Sequence, residues 1–205
     1  MSVYCEQWLL ELKSFEMSIR ESIQEAVRLN EEILRNEDFL AACERGKEIL
    51  TKALLSGNKV LVAGNGGSAA DAQHFAAEFV ATFKKEKRGG YPVLALTTDT
   101  SFLTAWTNDF GYEDVFARQV QTWGKDGDVF MGISTSGNSE NVLRAMNEAK
   151  KHGLRTVGLL GGDGGTIKGA CDVAVIVPSK TTARIQEVHM LVLHAWCEEI
   201  TPQLR

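Results

Sequence analysis

The stretch KVLVAGNGGSAADAQHFAAEF, residues 59–79, decides the fold. Its first half is a short apolar run, Val60–Val62, with the length and β-branching of a buried strand. Gly64, Asn65, Gly66, Gly67 and Ser68 then turn the chain, and an alanine-rich helical pattern follows, predicted over residues 68–83. The alternation repeats downstream. Val93–Leu96, Val129–Ile133, Thr156–Leu160 and Val173–Val177 read as buried strands. Helical patterns lie between and after them, at about 101–107, 112–123, 139–151 and 181–200, with a possible helical stub in Gly165–Ala170. Strands that alternate with helices imply a parallel sheet covered on both faces. The expected architecture is α/β, a five-stranded, doubly wound, flavodoxin-like parallel sheet flanked by helices.

Working back from this unit, residues 2–35 carry Leu9, Leu12, Phe15, Ile19, Ile23, Ala26 and Leu29 at three- and four-residue spacing, the pattern of one long amphipathic helix. A second helix is expected from Asp38 to Leu55, stopped at Ser56–Gly57–Asn58. Nothing rich in proline separates these helices from the rest. The chain therefore reads as one domain over residues 1–205, with an N-terminal helical extension (1–57) and an α/β core (58–205).

The composition narrows the function. The 205 residues include 22 Lys and Arg against 27 Asp and Glu, a net charge of −5 that offers nucleic acid no general attraction. The one basic run, Lys84–Lys85–Glu86–Lys87–Arg88, reads as a solvated helix end. Cys5, Cys43, Cys171 and Cys197 are too scattered for a disulfide framework or a thiolate metal site, and fit free thiols in a reducing cytoplasm. No signal peptide and no run of membrane-spanning length is apparent, so no membrane partner is expected.

In open parallel sheets ligands sit beyond the carboxyl ends of the strands. The loop Gly64–Ser68 lacks the third glycine of a dinucleotide fingerprint and the lysine of a nucleotide-phosphate loop. The loop Gly132–Ile133–Ser134–Thr135–Ser136–Gly137–Asn138–Ser139 places four hydroxyls before a helix. Hydroxyls and helix N-terminal N–H groups suit a phosphate dianion, and without a lysine or a magnesium signature a phosphomonoester suits them better than a nucleotide. Thr107–Gly111, containing Asn108 and Asp109, reads as a polar turn beyond the second strand. His74 and Glu78 are four apart and share a helix face. Gln186, His189 and His194 sit in an otherwise apolar last helix; His189 fits a core histidine, and His152 fits the surface.

Four runs in order carry a resemblance: AGNGGSAADAQHFAAEF, TNDFGYEDVFARQV, GDVFMGISTSGNSENVLRA and ARIQEVHMLVLH. They resemble the sugar isomerase (SIS) domain, and within it the phosphoheptose isomerase family, over about residues 59–200. The resemblance implies interconversion of sedoheptulose 7-phosphate and D-glycero-D-manno-heptose 7-phosphate, toward the heptoses of lipopolysaccharide. It implies that Asn65, Gly66, Gly67, Asn108, Asp109 and Gln186 line the substrate. Ser134, Thr135, Ser136 and Ser139 would bind its phosphate, and Glu78 and His194 would be the catalytic pair. His74, Glu78, Gln186 and His194 would match the family's zinc set, and a homotetramer would be the working form.

Gln186 and His194 lie eight residues apart, about 12 Å along a helix. One ion or substrate reaches both with difficulty, so the site is expected between subunits. Two rival readings are a paralogous SIS protein that binds the bacterial replication initiator, and an isomerase of another phosphosugar. The first branch lacks the glutamate and final histidine that this chain has.

Overall fold

The computed structural model describes residues 18–85 and 87–204. The expected first helix is seen as α1 (Ile19–Leu34); its positions before Ser18, Leu9, Leu12 and Phe15 among them, lie outside the described residues, as does Cys5. Ser18 and Glu21 close a reciprocal capping box at its start. Then follow α2 (Glu37–Leu55), β1 (Val60–Gly64), α3 (Gly67–Val80), β2 (Val93–Ala95), α4 (Thr100–Phe110), α5 (Val115–Trp123), β3 (Val129–Ser134), α6 (Glu140–Lys151), β4 (Arg155–Gly161), a 3₁₀ turn (Ile167–Ala170), β5 (Val173–Val177), α7 (Thr182–Ile200) and a final 3₁₀ turn (Thr201–Leu204).

The five strands are parallel, in the order β2-β1-β3-β4-β5. Side-chain alternation divides the interior. Val60 and Val62 join Met131, Ile133 and Leu159 in a core closed by α1, α2, α3 and α7. Leu61, Ala63 and Phe130 join the opposite core, closed chiefly by α5 and α6 with Phe102, Leu103 and Trp106 of α4 along its edge. Every residue of β1 and β3 is buried, which is why both read as unbroken apolar runs.

The winding reverses between β1 and β3, because β1 leads to β2 on one side and β3 lies on the other. That reversal opens a crevice at the carboxyl ends of the two strands. Gly64 pairs with Ile133 in the parallel register, so the glycine loop and the serine loop leave the sheet side by side.

One segment departs from expectation. Residues 107–110 are the last turn of α4 rather than a loop. The Asp99 carboxylate accepts from Phe102 N–H at the helix start, and Phe102, Trp106 and Phe110 stack along one face. These contacts outweigh the polarity of Thr107, Asn108 and Asp109, and Gly111, at φ +91°, ends the helix.

On α1, Ile19, Ile23, Val27 and Leu34 form an exposed apolar stripe. No described helix is long and apolar enough to cross a membrane.

Candidate active site

The first wall of the crevice is Asn65–Gly67. Gly66 adopts φ +55°, ψ −120°, a conformation that a side chain would oppose, and it precedes α3 without any side-chain cap. Ser68 N–H donates to Asn65 O and Ala69 N–H to Gly66 O, each at 3.0 Å, so Gly67 N–H is the donor at the start of α3 that is left for a ligand. A Cβ at Gly67 would collide with the side-chain amide of Gln186, so the glycine makes room for α7 to lay that amide against the α3 terminus.

The second wall is the serine loop. Ser139 occupies the N-cap position of α6, yet its hydroxyl makes no cap bond; it lies 2.9 Å from Ser134 Oγ, which is 3.5 Å from Ser136 Oγ. Three hydroxyls thus gather beside an uncapped helix N-terminus, where an anion is favoured.

The loop after β4, whose expected helical stub is the 3₁₀ turn Ile167–Ala170, supports this wall. Ile167 N–H donates to Gly137 O (2.9 Å) and Thr166 N–H to Asn138 Oδ1 (3.0 Å). Gly137, at φ +66°, lies directly against Gly164, and a Cβ at Gly161 would strike the Thr135 carbonyl. The legible signal was Gly161–Gly162–Asp163–Gly164–Gly165, glycines needed where two backbones meet.

Deeper along α3, His74 Nε2 lies 2.9 Å from His194 Nε2 of α7 and 3.4 Å from Glu78 Oε1. The two rings meet edge to face, with Phe83 beside His194. Arg88 secures the end of α3: its guanidinium donates to the carbonyls of Glu78 and Phe79, each at 2.9 Å, and stacks on Tyr91. The basic run is therefore solvated at its described lysines, while Arg88 is a half-buried brace for the turn that carries Glu78.

Asp71, one turn before His74, was missed in the sequence. It is buried with its Oδ2 unpartnered, and burial raises its carboxyl to about 6 against a smaller opposing influence of His74. A lone acid among Ala69, Ala70 and Ala72 was the available signal.

The chain gathers His74, Glu78 and His194, and separately Ser134, Ser136, Ser139, Asn65 and the Gln186 amide. It does not join Gln186 to the histidines, because eight residues of α7 separate Gln186 from His194, about 12 Å along the axis. Asn108 and Asp109 stand on the exposed last turn of α4 and hydrogen-bond each other.

Imidazole nitrogen and carboxylate oxygen are zinc donors. Their separation is informative: ligands at about 2.0–2.1 Å around a tetrahedral ion lie about 3.3 Å apart. The Glu78–His74 distance matches this, whereas the two imidazole nitrogens are closer, at a hydrogen-bonding distance. Accordingly, among the described residues no group of three or more His, Cys, Asp or Glu is arranged to hold an ion within one chain. The donor chemistry of His74, Glu78 and His194 fits a cation.

The other histidines fall outside the site. His152 is exposed beside Glu148. His189 is fully buried, bonded through Nε2 to Leu160 O at 3.1 Å, and burial lowers its pKa from 6.5 to about 4. The unfolded chain binds this proton below about pH 6.5, while the native state resists it until about pH 4. The associated stability is complete above pH 6.5 and is lost as pH falls toward 4, by about 3 kcal/mol at most. Urea titrations should show His189→Gln, which retains a donor for Leu160, losing less stability than wild type between pH 7 and 4.5. Equal losses would contradict this.

The described cysteines, Cys43, Cys171 and Cys197, are free, with thiols pushed up to about 12 chiefly by burial.

With this geometry in place, three comparisons locate the chain among known proteins. Residues 23–161 match the SIS domain. The phosphoheptose isomerase of Nitratiruptor sp. is 59% identical over 152 residues, which span 74% of this chain and 81% of that one. That of Aneurinibacillus thermoaerophilus is 50% identical over 182 residues, 87% of this chain and 90% of that one. The structure of phosphoheptose isomerase GmhA from Neisseria gonorrhoeae superposes with a TM-score of 0.83 at 41% identity, covering 90% of this chain and 97% of that one.

Proposed function

The chain belongs to the SIS-domain family and to its phosphoheptose isomerases, and on that premise we propose that it interconverts sedoheptulose 7-phosphate and D-glycero-D-manno-heptose 7-phosphate for heptose biosynthesis. The single observation that carries the chemistry is the convergence of His74, Glu78 and His194 at one end of the α3–α7 contact. A regulator that binds only the replication initiator has no use for an acid–base cluster of this kind.

Ser134, Thr135, Ser136 and Ser139 hold the substrate phosphate against the α6 terminus, while Asn65, Gly66 and Gly67 line the sugar, with Asn108, Asp109 and Gln186 as further contacts. Isomerisation moves one proton from C1 of the ketose to C2 of the aldose and one oxygen-bound proton from O1 to O2. The Glu78 carboxylate removes the C1 proton, giving the enediol, and returns a proton at C2. His194 carries protons to O2 and from O1. Arg88 holds the backbone of Glu78 in place during both transfers.

His74, Glu78, Gln186 and His194 would hold a zinc ion, which would stabilise negative charge on the substrate oxygens. Glu78 cannot be a tight ligand and a free base at once. The separation of Gln186 from the histidines supports a division of the set between chains, and with it a homotetramer whose sites are shared. The free thiols of Cys43, Cys171 and Cys197 support a cytoplasmic location.

The proposal is tested by incubating the purified protein with sedoheptulose 7-phosphate, with and without chelator, and assaying the aldose. Product formation is expected, and reduced formation with chelator supports the metal. No turnover, together with binding of the replication initiator, would reverse the assignment. Gly67→Ala is expected to evict the Gln186 amide and lower kcat/KM about tenfold, the order of one lost hydrogen bond. Steady-state kinetics at unchanged melting temperature checks this.

A further inference from the structure

Asn65 is held by a hydrogen-bond network whose direction the geometry fixes. Val142 N–H, a donor only, points to Asn141 Oδ1 at 3.0 Å. That assigns the oxygen of Asn141, which is buried in the first turn of α6. Asn65 Nδ2 therefore donates to Asn141 Oδ1, and Asn141 Nδ2 donates back to Asn65 Oδ1, both at 2.9 Å. Asn65 Oδ1 is then unambiguously an acceptor, so the Tyr112 hydroxyl, also at 2.9 Å, must donate to it.

The sum is specific. Both lone pairs of the Asn65 oxygen are used, and one of its two N–H bonds is used. What Asn65 has left, at the mouth of the crevice, is a single donor. The same bonds tie the loop after β1 to the first turn of α6, the helix that begins at the serine loop.

We propose that Asn141 and Tyr112 are positioning residues that hold Asn65 as a hydrogen-bond donor, and never an acceptor, toward a sugar oxygen of the substrate. This rests on the phosphosugar reading of the site. Tyr112 is half exposed and packs its ring edge on Phe116, so removal of its hydroxyl spares the fold. Asn65 selects an oxygen bearing lone pairs, a carbonyl or an enediolate, over a substrate group that offers only a proton.

The test is a double-mutant cycle on Tyr112→Phe and Asn65→Ala, with Asn65→Asp as a third variant. Tyr112→Phe should lower kcat on sedoheptulose 7-phosphate about three- to tenfold with little change in KM. In the Asn65→Ala background the same change should cost nothing, because Tyr112 acts only through Asn65. Asn65→Asp, which retains acceptors but no donor, should be as impaired as Asn65→Ala. Equal costs of Tyr112→Phe in both backgrounds, or an active Asn65→Asp, would overturn the inference. Wild-type protein that failed to turn over this sugar would contradict the proposed activity instead. The cycle would then be read from calorimetric binding of sedoheptulose 7-phosphate, where additive effects of the two substitutions, or no binding, overturn the inference.

Discussion

Glu78→Gln is expected to lower turnover by about 10²–10⁴-fold while leaving the fold and substrate affinity nearly intact, the range over which a positioned base accelerates proton transfer. The amide keeps the size of the carboxylate and can still meet His74, 3.4 Å away in the wild-type chain. What it loses is the ability to take a proton from carbon. His194→Gln is expected to act in the same direction, and the double variant to be hardly worse than either single one, because the two groups serve one transfer. Steady-state kinetics with a melting curve for each variant decides the matter. A Glu78→Gln protein with turnover within a few fold of wild type would remove Glu78 from the base role.

The second large effect is expected at a distance from the chemistry. Ile23→Asp combined with Val27→Asp places two charges in the apolar stripe of α1. In the single chain these side chains are 59% and 52% exposed, so the monomer has little reason to unfold. In an assembly that buries the stripe, each substitution forfeits about 1.5–3 kcal/mol of apolar burial and adds the cost of desolvating a charge. Light scattering should show dissociation, with activity falling at least tenfold at dilute protein if the proposed division of the site between chains is lost with the assembly. A dissociated, folded and fully active protein would contradict the shared site.

The fold was legible because its signals were strong and redundant. The strands β1 and β3 are buried on both faces, so no alternation obscured their apolar runs. The 107–111 segment was misread because Asn108 and Asp109 are polar in sequence, while Phe102, Trp106 and Phe110 decide its conformation from the other side of the helix. Within the site, His74, Glu78 and the serine loop were legible from residue type and spacing. Arg88 and Asn141 were not. Each acts through a backbone or amide contact with a residue distant in the chain, and residue type alone carries no record of its partner. The Arg88 contact is a case in point: a basic run predicts charge on the surface, and only the turn-back to the α3 carbonyls shows one guanidinium set apart from its neighbours.

The most direct measurement of the central claim follows sedoheptulose 7-phosphate by NMR in deuterium oxide with the wild-type protein and with Glu78→Gln. Wild type should form the aldose with deuterium at C2, because the proton passes through a base that exchanges with solvent, and Glu78→Gln should leave the ketose unlabelled and unconverted. Wild type that neither forms the aldose nor labels the ketose, or a Glu78→Gln variant that labels and converts as fast as wild type, would contradict the account.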